Sequence, residues 1–318
     1  MRNLAFLALA LASTAAPAET IYVSNEKGNS ITVVDGATLQ PVATWAVGKR
    51  PRGLLLSKDG RQLYLCASDE NAIEVIDRAT GKVLHQLPSG EDPETFAMTP
   101  DGRLLFASNE RDATVTAIDV QRRAVAFQVV VGVEPEGMAV SPDGKTAVST
   151  SETDHALHWI DIASQKDVGA TEVGERPRHA EFTADGRELW ASSEIGGVVQ
   201  VVDPATRKIV ETIRFEVPGV DPAKILPVGI RFTPDQKQAL VALGRANHVA
   251  IIDVASRKVT ALVPVGMRVW HLAISADGKR AYAANGLSDT LSVIDIPSAK
   301  VIASVPTGRA PWGVVVAP

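Results

Sequence analysis

An apolar-apolar-Asp signature recurs along the chain, ending at Asp35, Asp77, Asp119, Asp161, Asp203, Asp253 and Asp295, at steps of 42 residues with one step of 50. This fixed period constrains the fold most, because each short unit can bury its apolar face only against copies of itself. A second marker, Ser/Thr-x-Asp-Gly, keeps the same spacing at Asp59, Asp101, Asp143, Asp185, Asp235 and Asp277, and only Gln236 replaces its glycine.

Within a unit, runs such as "RQLYLCAS", "NAIEVID", "KVLHQLP" and "ETFAMTPDG" are short, strand-like and separated by Asp-Gly, Thr-Gly or Gly-x-x-Pro turns. That makes four strands per unit. No unit carries a capped helix of ten residues, which excludes barrels of alternating strand and helix and dinucleotide-binding folds. Seven strand quartets predict an all-β fold, a seven-bladed β-propeller with four antiparallel strands per blade. The first strand-like run, "IYVSN", matches a second strand, and the last, "PWGVVVAP", matches a first strand. The C-terminal strand, Gly313 to Ala317, is therefore expected to close the ring by joining the N-terminal blade.

Residues 1–18 read as a signal peptide: Met1-Arg2-Asn3, an apolar stretch from Leu4 to Ala12, and Ala16-Pro17-Ala18 as cleavage site. Cleavage before Glu19 would leave residues 19–318 as one propeller domain, monomeric, periplasmic and without a membrane span. The seven units occupy all of it, with no room for a separate catalytic domain. The net charge of −5, or −6 without Arg2, does not favour nucleic acid. Cys66 is the only cysteine and sits in an apolar run, where it reads as a small hydrophobe.

The end-of-strand aspartates each precede a turn, and capping of backbone N–H groups accounts for them. Tyr22, Tyr64, Phe106, Val148, Trp190, Leu240 and Tyr282 share one strand position and read as packing between blades; His85 and His158 read as structural. The residues that differ between units are another matter. Aligned on the glycine before each first strand, the second strand residue is Arg52, Glu94, Glu136, Arg178, Val228, Trp270 and Trp312, with His179 and His271 alongside. A sevenfold structural need would repeat one residue type. This mixture is that of a ligand-binding pocket at the channel mouth, or else of Arg–Glu pairs plugging it. Glu26, Glu110, Glu152 and Glu194 share the end of the second strand and are candidate oxygen ligands for calcium or another divalent ion, or partners for Arg52 and Arg178. Asp154 and His155 could join that face. The extra residues between Arg214 and Gly229 could form a lid presenting Phe215, Val217, Ile225 and Leu226, or be a harmless insertion. No G-x-S-x-G, H-E-x-x-H, Walker or C-x-x-C-H motif is present, and nothing marks a nucleophile.

The units "YVSNEKGNSITVVDGATLQPVATWAVGKRPRGLLLSKDG" and "AYAANGLSDTLSVIDIPSAKVIASVPTGRAPWG" resemble the YVTN-type propeller repeat over essentially all of residues 21–318. With seven units, an export signal and the "SNE" variants, the chain most resembles the propellers associated with pyrroloquinoline quinone (PQQ)-dependent alcohol catabolism. That resemblance implies a periplasmic, non-enzymatic accessory or binding role beside quinoprotein dehydrogenases and their transport systems. It does not imply quinone binding, because the tryptophan expected shortly after Gly-Lys is missing from "DRATGKVLHQL". A different class of function is a metal-dependent hydrolase resembling propeller lactonases, with carboxylates holding a divalent ion that polarises a carbonyl. A third is single-stranded nucleic-acid binding, with Trp270 and Trp312 stacking bases beside Arg52.

Overall fold

The computed structural model describes residues 19–318; the expected leader at 1–18 lies outside the described residues. Seven sheets of four antiparallel strands, joined by turns, build the described residues. The seven first strands, Pro51–Leu56, Pro93–Met98, Pro135–Val140, Pro177–Phe182, Ile230–Phe232, Val269–Ile274 and Pro311–Ala317, pack side by side in a closed ring. The last of them pairs with Thr20–Asn25, with Tyr22 opposite Val315 and Thr20 opposite Ala317. The closing strand thus begins at Pro311, two residues before the sequence-based boundary. Among the described residues no helix is long and apolar enough to cross a membrane.

The energetic logic is that of the repeat. Second and third strands such as Leu104–Asn109 and Thr114–Asp119 are buried on both faces, which is why they read as continuous apolar runs. Outer strands such as Gln40–Ala46 are mostly exposed. Seven apolar clusters result, each spanning the border between two consecutive blades: Ile21 and Val23 pack with Tyr282 and Val293, whereas Tyr22, one residue on, packs with Leu63 and Leu65. Tyr64, Phe106, Val148, Trp190, Leu240 and Tyr282 fill the equivalent borders, as their shared position predicts.

The turns follow their chemistry. Asp35 accepts hydrogen bonds from the Ala37 and Thr38 amides and the Thr38 hydroxyl, and Asp77, Asp119, Asp161, Asp203, Asp253 and Asp295 repeat the pattern with local variations. Where Gln236 replaces glycine it adopts the same left-handed conformation (φ 59°), and its side chain bonds Thr233 O and the Ala184 amide of the preceding blade. Cys66 is fully buried, and burial pushes its thiol well up.

The insertion is not a lid. Phe215, Val217 and Ile225 are buried in the cluster between the fifth and sixth blades, against Trp190, Val199 and Ile230. Removing this much apolar surface from water favours the blade border over a flap above the channel. Asp221 caps the short turn Pro222–Lys224 that folds the segment back.

Candidate functional site

The ring residues converge because of how each first strand begins. The residue before six of the seven first strands is left-handed: Arg50 (φ 51°), Asp92 (60°), Glu134 (54°), Arg176 (56°), Arg268 (55°) and Ala310 (53°). The two-residue offset then leaves Arg52, Glu94 and their equivalents in a stretch where the register shifts, between Pro51 and Leu54 or Pro93 and Phe96, so these side chains sit at the mouth of the channel. One position on, the backbones of adjacent blades nearly touch. A Cβ at Gly137 would lie 2.8 Å from Arg178 O, and one at Gly313 2.7 Å from Arg52 O. His179 and His271 occupy that same position in blades five and seven.

These groups form one buried ionic network. Arg52 reaches Glu94 at 2.7 Å, Glu26 at 3.2 Å and Glu136 at 3.7 Å, while Arg178 reaches Glu136 at 2.6 Å, Glu194 at 3.7 Å and also Glu152. Glu94 is fully buried, and Glu136 and Arg178 are 1% and 3% exposed. Trp312, 1% exposed, stands over Arg52 with its ring 5.2 Å from the guanidinium; His271 lies 4.2 Å from Trp312 and 5.5 Å from His179. Trp270 is only half-buried and stacks on Arg268 at 3.7 Å. Val228 is buried at its ring position, and its carbonyl accepts from the Ser192 hydroxyl as that of Arg52 does from Ser24.

Four members escaped the sequence reading. Arg50 contacts Asp92 at 2.8 Å, Glu94 at 2.5 Å and Glu110 at 3.6 Å; Arg176 contacts Glu152 at 2.6 Å; Arg268 contacts Glu194 at 2.5 Å. The signal was available: this column, just before the first strand, mixes charges as freely as the ring column does. The four glutamates proposed as metal ligands are thereby spread over different arginines: Glu26 on Arg52, Glu110 on Arg50, Glu152 on Arg176 and Arg178, Glu194 on Arg268. Asp92, Glu94 and Glu110 lie close enough together to hold an ion, and the Arg50 guanidinium occupies that position. Asp154 and His155 serve the neighbouring loops, accepting from the Val133 and Arg176 amides. Trp312, enclosed by Arg52 and His271, presents no face to a base.

Burial and pairing pull the carboxyls apart. Desolvation pushes Glu94 up to about 8 against the pull of Arg52 and Arg50, and pushes Glu136 well up despite Arg178. Glu152 is desolvated too, but Arg178 and Arg176 hold it below the usual carboxylate range. Burial holds both His179 and His271 below the ordinary imidazole value, His271 further because neighbouring cations oppose its charge. The indole N–H of Trp312 and Nε2 of His271 are buried without a partner.

No family model matches the chain, and no curated protein matches it. Solved structures do. Hydrazine synthase of Kuenenia stuttgartiensis matches with TM-score 0.78 at 23% identity, covering 87% of this chain and 92% of that one. A functionally unknown protein from Desulfotomaculum acetoxidans DSM 771 matches with TM-score 0.81 at 15% identity, covering 94% and 98%. The dihydro-heme d1 dehydrogenase NirN, in complex with DHE, matches with TM-score 0.69 at 16% identity, covering 96% and 76%. At these identities the likeness is one of fold: this chain shares the β-propeller architecture of all three.

Proposed function

We propose that this chain is an exported, non-enzymatic accessory protein acting beside PQQ-dependent alcohol oxidation, and that it recognises a protein partner through the channel-mouth face. One observation carries the reading: at this level alone the repeat abandons sameness, and a half-buried Trp270 stacked on Arg268 is set among rim charges such as Arg176 and Glu110. A half-buried tryptophan held rigid against an arginine is what interface hot spots use. The buried inner ring, Glu94, Glu136 and Arg178, preorganises that rim rather than meeting a ligand itself.

Calorimetric titration with a purified periplasmic quinoprotein alcohol dehydrogenase tests this. Association is expected, weakened about tenfold or more by Trp270→Ala or Arg176→Ala in variants that keep a cooperative thermal transition. No heat of binding at about 100 μM would refute the proposed partner.

A further inference from the structure

The charged ring closes one end of the channel; the other end is open. On the face of the Ser/Thr-x-Asp-Gly turns lies a cavity of about 470 Å³, within the range of small-molecule sites. One side of its wall is apolar, with Phe96, Met98 and Met138; the other carries His179 and Arg231, with Lys58 at the rim.

The hydrogen bonds here define what a ligand must offer. Arg231 Nη1 donates its two hydrogens to Glu181 and to the Ile230 carbonyl, each at 2.7 Å, and also lies 2.7 Å from His179 Nε2. His179 Nε2 faces both Arg231 at 2.7 Å and Glu181 at 3.5 Å, so this histidine is tied into the wall of the cavity, and its Nδ1 is buried away from solvent. Glu181 is fully engaged, one oxygen on Arg231 and the other on the Phe232 amide. All of Arg231's bonds run through one nitrogen, leaving donors on Nη2 and Nε, and Lys58 makes no ion pair among the described residues. What remains is the free donors of Arg231, whose charge Glu181 balances, and one uncompensated positive charge on Lys58.

We infer that this cavity binds a small organic monocarboxylate, its carboxylate taken by Arg231 and Lys58 and its hydrocarbon body lying on Phe96, Met98 and Met138. Nothing in the wall favours an alcohol, which would leave Lys58 without a counter-charge. An inorganic anion would leave the apolar side unused. The site lies at the opposite end of the channel from the proposed partner face, so the two readings stand or fall separately.

Titration calorimetry with hexanoate, hexan-1-ol and acetate on the full chain decides it. Hexanoate is expected to bind, with acetate and hexan-1-ol each about tenfold weaker or silent. Arg231→Gln should weaken hexanoate about tenfold and Lys58→Gln about threefold. Since Arg231→Gln strips Glu181 of its partner and could unfold the blade, the exposed Lys58→Gln keeps the test valid. Absence of hexanoate binding at about 10 mM, equal binding of hexan-1-ol, or hexanoate binding untouched by Lys58→Gln would overturn the assignment.

Discussion

Replacing Arg178 by Met tests whether the inner ring is a buried ion network held by mutual pairing. Arg178 contacts three carboxylates, but they would not suffer equally. Glu152 keeps Arg176 at 2.6 Å and Glu194 keeps Arg268 at 2.5 Å, whereas Glu136 is left with Arg52 at 3.7 Å. The cost is therefore that of one stranded, 1% exposed carboxylate, about 3–5 kcal/mol, or roughly 5–8 °C in melting temperature for a domain of this size. It should depend on pH in a defined sense. Burial already pushes Glu136 up; without Arg178 it rises further, so as the pH falls the native state takes up a proton before the unfolded chain does, and the penalty shrinks. Adding Glu136→Gln to Arg178→Met should restore most of the loss at pH 8. Urea unfolding at pH 8 and pH 5.5 measures all three. A loss under about 1 kcal/mol at pH 8, or one that neither acid nor Glu136→Gln relieves, would refute the reasoning.

Three further outcomes follow from the same geometry. Deleting residues 311–318 removes the strand paired with Thr20–Asn25 and the fully buried Trp312, whose truncation alone costs about 3–5 kcal/mol; loss of the cooperative thermal transition is expected, and an unchanged scan would contradict the closure. His271 is held neutral, so its folded value lies below its unfolded one, the unfolded state binds more protons in acid, and stability falls as pH drops. Its share is about 1 kcal/mol between pH 6.5 and 5.5, and His271→Gln should remove that part of the slope in urea midpoints. Gly137→Ala places a methyl 2.8 Å from Arg178 O and should cost about 1–3 kcal/mol by denaturation, more than Gly60→Ala, where the added methyl meets nothing within 4 Å and only the left-handed backbone resists.

The blades were legible because their determinants are local and repeated: apolar runs, Asp-capped turns, and a shared position whose side chains, Tyr22 to Tyr282, all proved to lie at blade borders. Ring membership at Arg52, Glu94, Glu136 and Arg178 followed from column alignment alone. Which partner each would take did not, because pairing depends on side-chain reach between blades. Arg50, Asp92, Arg176 and Arg268 were passed over because a residue just before a first strand reads as turn punctuation, whereas its left-handed backbone swings the side chain into the network. The insertion misled for a related reason: Phe215 and Val217 look like lid residues only until the blade border beside Trp190 gives them somewhere to pack.

A network this deeply buried is a poor way to gain stability, since desolvating ions offsets most of their attraction. Its contribution lies elsewhere. Seven similar blades can be mispaired during folding, and the ring distinguishes them: Arg52 ties the second blade to Glu26 of the first and Glu94 of the third, and Arg178 ties the fifth to Glu136 of the fourth. Replacing the inner four together, Arg52→Met, Glu94→Leu, Glu136→Leu and Arg178→Met, leaves the flanking groups paired: Arg50 keeps Asp92, Arg176 keeps Glu152, and Glu26 retains access to water. The apolar ring should then match the wild type in stability or exceed it by about 1–4 kcal/mol, where Arg178→Met alone is costly, while the yield of native monomer on refolding from urea falls. If the fourfold variant melts as low as the single one, the charges themselves hold the ring together; if it refolds as efficiently as the wild type, they do not specify blade order.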